Sequence, residues 1–161
     1  MPNYKIDTYL KIVLFISLFS LISAFFIEYI LGHQPCNLCL IERIPYGLSI
    51  MIIMAIFLIK KNQKFLVMLL ILTFIFSFAI SFYHFGIEQG FFQESSVCGV
   101  KSLTESVTKE DLLKQLSEKT ISCKDVTFRI FGLSLTSINI VISILFIITL
   151  LKIFKKYEKN K

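Results

Sequence analysis

Four long apolar runs constrain this chain more than any other feature of its sequence. They cover about residues 12–31, 40–59, 65–85 and 131–151. Each approaches the roughly 20 residues that a helix needs to cross the hydrocarbon core of a bilayer. The runs are continuous, whereas the strands of a membrane barrel show roughly ten-residue segments of alternating character. The sequence therefore predicts an all-α membrane protein, a four-transmembrane-helix bundle forming one domain over residues 1–161.

Composition supports a single membrane domain and leaves little material for a soluble one. Of the 161 residues, 55% are hydrophobic and 17% are charged, whereas a soluble domain carries about 25% charged residues. The first apolar run is longer than the roughly 7–15 residues of a signal-peptide core and ends without a small-residue cleavage site. We therefore expect this run to remain in the protein as the first span.

Lysines that flank the spans predict the orientation of the chain. Positive residues crowd one side of the bilayer, in both terminal segments and in the loop at residues 60–64. These residues are Lys5, Lys11, Lys60, Lys61, Lys64, Lys152, Lys155, Lys156, Lys159 and Lys161. Because cytoplasmic segments are enriched in lysine and arginine, both termini are predicted to be cytoplasmic. The net charge of +6 follows from this asymmetry and does not indicate nucleic-acid binding.

The predicted orientation places all four cysteines on the external side of the membrane. The two external loops cover about residues 32–39 and 86–130. Cys36 and Cys39 lie in the first loop, and Cys98 and Cys123 lie in the second. An even number of cysteines on one face is typical of an oxidising compartment.

A Cys-x-x-Cys motif, Cys36 and Cys39, is predicted to lie at the outer membrane boundary where the second helix begins. Helix N-termini stabilise thiolates, and the thiolate is the reactive form in disulfide exchange. Arg43 follows Cys39 by four positions, so on a continuous helix its cation would favour the Cys39 thiolate. Pro45 lacks an N–H, so the helix is kinked there or begins near Ile44. We interpret the motif as redox-active.

The loop pair, Cys98 and Cys123, has two possible roles on spacing alone. As a structural disulfide it would close a loop of about 26 residues, which stabilises a protein by roughly 3.5 kcal/mol. As a redox pair it would form a relay with the nearby Cys-x-x-Cys motif, which favours this second role. The spacing is too wide for a zinc knuckle, and no metal site is predicted. Between the two cysteines, a capping-box pattern at Thr108 predicts a short amphipathic helix, on the membrane surface or in solvent.

Three polar residues lie within or beside the apolar runs. His84 ends the third run at nearly the depth predicted for Cys39 and Arg43. It is therefore either an interfacial anchor or part of a functional site. Glu28 and Asn139 are interpreted as structural groups.

Together these motifs resemble the disulfide bond formation protein B (DsbB) family of membrane thiol:quinone oxidoreductases. The resemblance covers the four spans, both external cysteine pairs and three local matches. The matches are Gln34-Pro35-Cys36-Asn37-Leu38-Cys39-Leu40-Ile41-Glu42-Arg43, Tyr83-His84 with Glu88-Gln89-Gly90, and Phe131-Gly132-Leu133-Ser134. The resemblance implies a bacterial inner-membrane enzyme that reoxidises a periplasmic thioredoxin-fold protein of the DsbA type. It also implies a quinone, ubiquinone or menaquinone, as the electron acceptor.

The resemblance implies a role for each cysteine on the partner side of the relay. Cys98 looks like the cysteine that forms a mixed disulfide with the DsbA-type partner. Cys123 looks like the one that then communicates with Cys36. A DsbA-type protein has a potential near −120 mV and ordinary structural disulfides lie below about −300 mV, so these disulfides must be unusually oxidising or be pulled by the quinone.

The resemblance also implies the residues on the quinone side. Cys39 looks like the thiolate that contacts the quinone ring, and Arg43 looks like the residue that supports quinone binding and the thiolate charge. His84 matches a position near the quinone site of the family.

Three other functions are compatible with the sequence. One is a quinone reductase resembling vitamin K epoxide reductase, although that family carries its Cys-x-x-Cys late in the chain and this motif follows the first span. Another is a tetraspan scaffold whose loop disulfides are only structural. The third is a membrane protein that binds a metal through its four cysteines.

Overall fold

The structure is a computed structural model that describes residues 4–59, 62–94, 98, 123–124, 129–130 and 133–159. Its helices are α1 (Tyr4–Tyr29), α2 (Asn37–Ile41), α3 (Ile44–Ile59), α4 (Gln63–Glu88) and α5 (Leu135–Lys159). An antiparallel hairpin of β1 (Arg129–Ile130) and β2 (Leu133–Ser134) precedes α5. The amphipathic helix predicted from Thr108 falls outside the described residues.

Four helical segments of the described chain are long and apolar enough to cross a membrane. They are Ile6–Tyr29, Asn37–Ile59, Gln63–Glu88 and Leu135–Tyr157. The all-α, four-helix membrane fold predicted from the sequence is therefore confirmed. The helices extend beyond the apolar runs, because α1 begins well before residue 12 and α4 continues through Glu88.

The second spanning segment is broken near the proline. Helix α2 ends at Ile41 and α3 begins at Ile44, which is one of the two arrangements that Pro45 predicted. The first helical hydrogen bond of α3 runs from the Gly47 N–H to the Arg43 carbonyl, at 3.2 Å. The break means that α2 and α3 do not form the continuous helix on which the sequence-based placement of Arg43 depended.

A glycine ends the third spanning helix just after its last polar residue. Gly90 has a left-handed φ of 77°, and the Phe91 N–H donates to the Gly86 carbonyl at 2.8 Å while the Gly90 N–H donates to the Ile87 carbonyl at 3.0 Å. This is the hydrogen-bond pattern of a Schellman C-cap. It leaves Glu88 in the last turn of α4.

The last helix begins later than its apolar run suggested. The Ser134 hydroxyl oxygen accepts a hydrogen bond from the Ser137 N–H at 3.2 Å. A serine in this position satisfies one of the free N–H groups at a helix start. Helix α5 therefore starts at Leu135, directly after the hairpin.

Apolar side chains from all four long helices form the main core. Leu10 of α1, Ile53 of α3, Phe74 of α4 and Leu150 of α5 are fully buried in it. The rings of Phe74 and Phe146 meet edge to face with centroids 4.7 Å apart. Because lipid tails are as apolar as these side chains, close packing rather than exclusion of water holds such helices together.

Paired serines allow close approach of neighbouring helices. The Ser49 hydroxyl donates to the Ser17 oxygen at 3.1 Å between α3 and α1. The Ser143 hydroxyl donates to the Ser77 oxygen at 3.2 Å between α5 and α4. Small polar residues are enriched at helix contacts in membranes, where each such bond contributes about 0.6 kcal/mol.

Candidate functional site

A cavity of about 340 Å³ lies beside the Cys-x-x-Cys motif. Its apolar wall comes mainly from α1 and α5 and includes Phe19, Leu21, Ile27, Leu135 and Ile142. Its reactive and charged lining includes Cys36, Cys39, Arg43, His84 and Cys123. The structure therefore brings five of the six sequence-predicted site residues to one cavity.

Cys36 is the N-cap residue of α2. Its backbone is extended, with φ −72° and ψ 166°, and its sulfur accepts a hydrogen bond from the Cys39 N–H at 3.3 Å. A hydrogen bond from the Cys39 side chain, reinforced by His84, lowers the pKa of the Cys36 thiol to about 4 against the opposing effect of burial. The Cys39 N–H and His84 thus both stabilise a thiolate on Cys36, while the thiolate predicted on Cys39 from the sequence stays a prediction.

Arg43 is held by the first helix. Its guanidinium forms an ion pair with Glu28 and lies over the Phe25 ring, 5.3 Å from the ring centroid. Because α2 ends at Ile41 and α3 begins at Ile44, Cys39 and Arg43 do not lie on one uninterrupted helix, and their common helix face stays a prediction. Both side chains still line the cavity, and Glu28 gains a clear role as the anchor of Arg43.

His84 stands at the centre of the polar part of the site. Its side chain is 2% exposed, and its Nε2 lies 3.6 Å from the Cys36 sulfur. Its Nδ1 lies 2.9 Å from Glu42 Oε1. An ionised carboxylate only accepts hydrogen bonds, so Nδ1 carries a proton and Nε2 faces the thiol. A thiol, an imidazole and a carboxylate in this order are suited to moving a proton on and off sulfur.

Glu42 is itself fixed by a network that reaches α5. The Asn139 amide donates to Glu42 Oε2 at 3.1 Å and to the Ser81 hydroxyl at 2.7 Å. The Tyr46 hydroxyl donates to the Asn139 carbonyl oxygen. Asn139, interpreted from the sequence as structural, thus orients the carboxylate that orients His84.

A second carboxylate approaches His84 from the end of α4. Glu88 Oε1 lies 3.9 Å from His84 Nε2 and accepts a hydrogen bond from the Thr136 hydroxyl at 2.7 Å. The Glu88 side chain is 6% exposed, and its Oε2 is buried with no hydrogen-bond partner among the described residues. A buried polar atom of this kind is costly unless something else satisfies it.

The loop cysteines pack against the same site. Cys98 and Cys123 are 1% and 2% exposed and form one cluster with Cys36, Leu38 and Ile87. All four cysteines of the chain are free thiols in the structure. Burial, together with hydrogen bonding to Cys98, raises the pKa of the Cys123 thiol. The two cysteine pairs, distant in sequence, are therefore neighbours in space.

The comparison with known proteins agrees with this arrangement. The profile of the family described as "Disulfide bond formation protein DsbB" matches residues 7–153 of the chain. The chain belongs to the DsbB family. A relative is the "Uncharacterized protein RP370" of Rickettsia prowazekii (strain Madrid E), which is 33% identical over 165 residues, covering 99% of this chain and 96% of the relative. Family membership and the four apolar helices together identify a multi-pass membrane protein of disulfide bond formation.

Sequence reasoning missed two carboxylates of this DsbB-family site. Glu42 and Glu88 were noted only as parts of matching motifs, yet both lie against His84. Two signals pointed to them. Glu88 follows His84 by four positions on one helix, and ionisable residues at membrane depth are functional by default.

Proposed function

We propose that this protein is a membrane thiol:quinone oxidoreductase that reoxidises a periplasmic DsbA-type dithiol protein. The observation that carries the proposal is the convergence of both cysteine pairs in one buried cluster beside a cavity with a largely apolar wall. A structural disulfide in a scaffold has no need of a second buried thiol pair beside it. Electrons pass from the partner through Cys98 and Cys123, then through Cys36 and Cys39, to the quinone.

The relay begins with two thiol–disulfide exchanges. A partner thiolate attacks Cys98 of the Cys98–Cys123 disulfide, Cys123 leaves as thiolate, and the second partner thiolate then releases Cys98. The partner is oxidised and the loop pair is reduced. Cys123 next attacks Cys36 of the Cys36–Cys39 disulfide and releases Cys39, and Cys98 then attacks Cys123 to restore the loop disulfide. The net result is a reduced Cys36–Cys39 pair.

His84 and Glu42 serve the thiol chemistry of Cys36. In the exchange with Cys123, Cys36 must leave as an anion, and His84 Nε2 at 3.6 Å stabilises that anion. Stabilising the dithiol form of a pair makes its disulfide a stronger oxidant, as required for accepting electrons that began on a DsbA-type protein. When the pair is reoxidised, His84 Nε2 lies beside the reacting Cys36 sulfur, and Glu42 holds the imidazole in place through Nδ1.

The cavity fits a quinone head group. Its apolar wall suits the ring and the start of an isoprenoid tail, while Cys39, Arg43 and His84 offer the polar contacts. Arg43 donates hydrogen bonds in a planar fork suited to a carbonyl oxygen. A bound quinone supplies the acceptor, since it takes up two electrons and two protons. The volume, about 340 Å³, is within the range of small-molecule sites.

The orientation of the site is part of the proposal. The lysine distribution favours cytoplasmic termini in a bacterial inner membrane, which puts the cysteine pairs on the periplasmic face. Labelling of single cysteines introduced near residues 60–64 and near the C-terminus would test it. Protection of both from a periplasmic reagent is the expected result, and labelling of residues 60–64 from outside contradicts it.

Reconstitution tests the activity directly. The purified protein is mixed with a reduced DsbA-type protein and either ubiquinone or menaquinone, and thiol loss and quinol formation are followed together. The expected result is one quinol per partner disulfide. Cys36→Ser and Cys123→Ser should both abolish turnover. Quinol formation without oxidation of the partner thiols would favour a quinone reductase. If the partner thiols stay reduced and no quinol forms, a scaffold is favoured.

A further inference from the structure

We propose that the reduced Cys36–Cys39 pair and His84 bind a zinc-class divalent cation, whose charge the buried Glu88 carboxylate beside His84 balances. The two sulfurs and the imidazole nitrogen all lie within 4.8 Å of one another. Zinc binds sulfur at about 2.3 Å and nitrogen at about 2.0–2.1 Å, so a tetrahedral site separates the two ligand atoms by ~3.6 Å. The observed distance between Cys36 Sγ and His84 Nε2 is 3.6 Å.

The imidazole is already set for coordination. Its Nδ1 lies 2.9 Å from Glu42 Oε1, which leaves Nε2 directed at the sulfur. Histidine ligands of zinc almost always donate their other N–H to a carboxylate or carbonyl in this way. The Asn139 amide holds the far oxygen of Glu42 at 3.1 Å, so the orienting group is itself fixed.

Glu88 supplies an independent indication of a missing ligand. Its side chain is 94% buried (6% exposed), its Oε1 lies 3.9 Å from His84 Nε2, and its Oε2 lacks a hydrogen-bond partner among the described residues. It also lies in the last turn of α4, where the helix dipole disfavours an anion and favours a cation. A cation on His84 and the two sulfurs would place a positive charge next to this buried carboxylate.

The ligand set selects the class of cation. Thiolate and imidazole ligands suit zinc, whereas magnesium and calcium require oxygen ligands. Two adjacent thiolates in a buried site repel each other, and a divalent cation cancels their charge. The cavity beside them gives the ion a route to the site. Sequence spacing does not group these ligands, because His84 is 48 positions from Cys36.

Binding depends on the redox state of the pair. A Cys36–Cys39 disulfide offers no thiolates, so the cation is held only by the dithiol form and is released when the pair is oxidised. Under the proposed oxidoreductase function, on which this step rests, bound zinc withholds the dithiol from the quinone. Zinc would then act as a reversible inhibitor whose effect a chelator removes.

Cobalt titration tests the site without quinone or partner. The full-length protein, reduced in detergent without oxygen, is titrated with Co²⁺ and then displaced with Zn²⁺. A Cys98→Ser/Cys123→Ser background removes the loop thiols. The expected result is one Co²⁺ per chain with the visible absorption of a tetrahedral thiolate site, and none in the oxidised protein. Glu42→Gln should weaken binding about 10–100-fold, as loss of an outer carboxylate does elsewhere.

Three results would overturn the assignment. The first is failure of the reduced protein to bind Co²⁺. The second is a Co²⁺ spectrum that neither Cys36→Ser nor His84→Gln changes. The third is loss of Co²⁺ binding on replacing only the loop cysteines, in Cys98→Ser/Cys123→Ser, which would make the loop thiols the ligands. Quinol formation by metal-free protein is measured separately. A chain that binds Co²⁺ but forms no quinol would refute the proposed oxidoreductase function and leave the metal site standing.

Discussion

His84 Nδ1 lies 2.9 Å from Glu42 Oε1, and this contact joins the end of α4 to the break between α2 and α3. Glu42→Gln retains a similar shape but removes the charge that orients and balances the imidazole. A hydrogen bond to a charged group contributes about 1.5–3 kcal/mol, so we expect partner oxidation to slow roughly 10–100-fold. Rapid-quench measurement of partner thiols with excess quinone gives the rate. Ser77→Ala, a buried change on α4, the helix that carries His84, is the control. An equal loss in both variants would contradict a specific role of Glu42.

The Cys36 thiol should titrate far below an ordinary cysteine. Its pKa is lowered to about 4, chiefly by the hydrogen bond from Cys39 and then by His84. Because the folded pKa is depressed, the thiolate is present at neutral pH and disappears only as the pH falls through about 4. Ultraviolet thiolate absorbance of the reduced Cys98→Ser/Cys123→Ser protein measures this. Cys39→Ala should raise the pKa of Cys36 more than His84→Ala does. A titration midpoint near 9 for Cys36 in the parent protein would contradict the prediction.

Arg43 should act through Glu28 as well as through its own charge. Arg43→Lys keeps the cation but loses the planar fork, so we expect weaker quinone use than in the parent and stronger use than in Arg43→Ala. Glu28→Gln should also raise the quinone KM, because Arg43 loses its ion-pair partner on α1. Residues in one ion-pair network couple by about 0.5–3 kcal/mol, so the double variant should be less impaired than the sum of the singles. Strict additivity in quinone titrations would show that Glu28 does not position Arg43.

The fold was predictable because its signals are local. Each apolar run and the Cys-x-x-Cys motif can be recognised within a window of some 20 residues. Pro45 limited the second span to a kink or a helix start near Ile44, and the structure has the second of these. These features need no knowledge of which helix packs on which.

The contacts that organise the site were not predictable from one sequence. Asn139 and Glu42 are 97 positions apart, and His84 and Glu42 are 42 apart. Helical periodicity describes the face of one helix and does not say which residue of another helix it meets. Arg43 likewise forms its ion pair with Glu28 of another helix, a contact that the spacing along one helix does not reveal.

Gly86 should respond to alanine with a sign that depends on Phe92. In a helix interior, glycine to alanine stabilises by about 1 kcal/mol. Here a Cβ on Gly86 would lie 2.0 Å from Phe92 Cδ2, so the Phe92 ring must move. The movement would break its stack on the Tyr83 ring, whose centroid lies 5.7 Å from that of Phe92. We therefore expect Gly86→Ala to be neutral or destabilising in the parent protein. In a Phe92→Ala background the same change should stabilise, as measured by denaturant unfolding in detergent. Equal stabilisation in both backgrounds would mean that the Phe92 ring does not occupy that space.

Cys98 and Cys123 should react in a fixed order. Cys98 and Cys123 are both buried beside Cys36, but of the two it is Cys123 that lines the cavity with Cys36 and Cys39. Cys123 should therefore exchange with Cys36, leaving Cys98 to capture the partner. Cys123→Ser leaves Cys98 as a free thiol with no resolving cysteine beside it. The Cys98 thiolate should therefore attack the disulfide of an oxidised DsbA-type protein, release one partner thiol, and accumulate as a mixed disulfide visible on non-reducing gels. Cys98→Ser should form no such adduct, and Cys39→Ser, which spares the loop pair, should still exchange with the partner at a near-parent rate in a single turnover. An adduct that forms equally on Cys98→Ser would reverse the assignment and make Cys123 the residue that meets the partner.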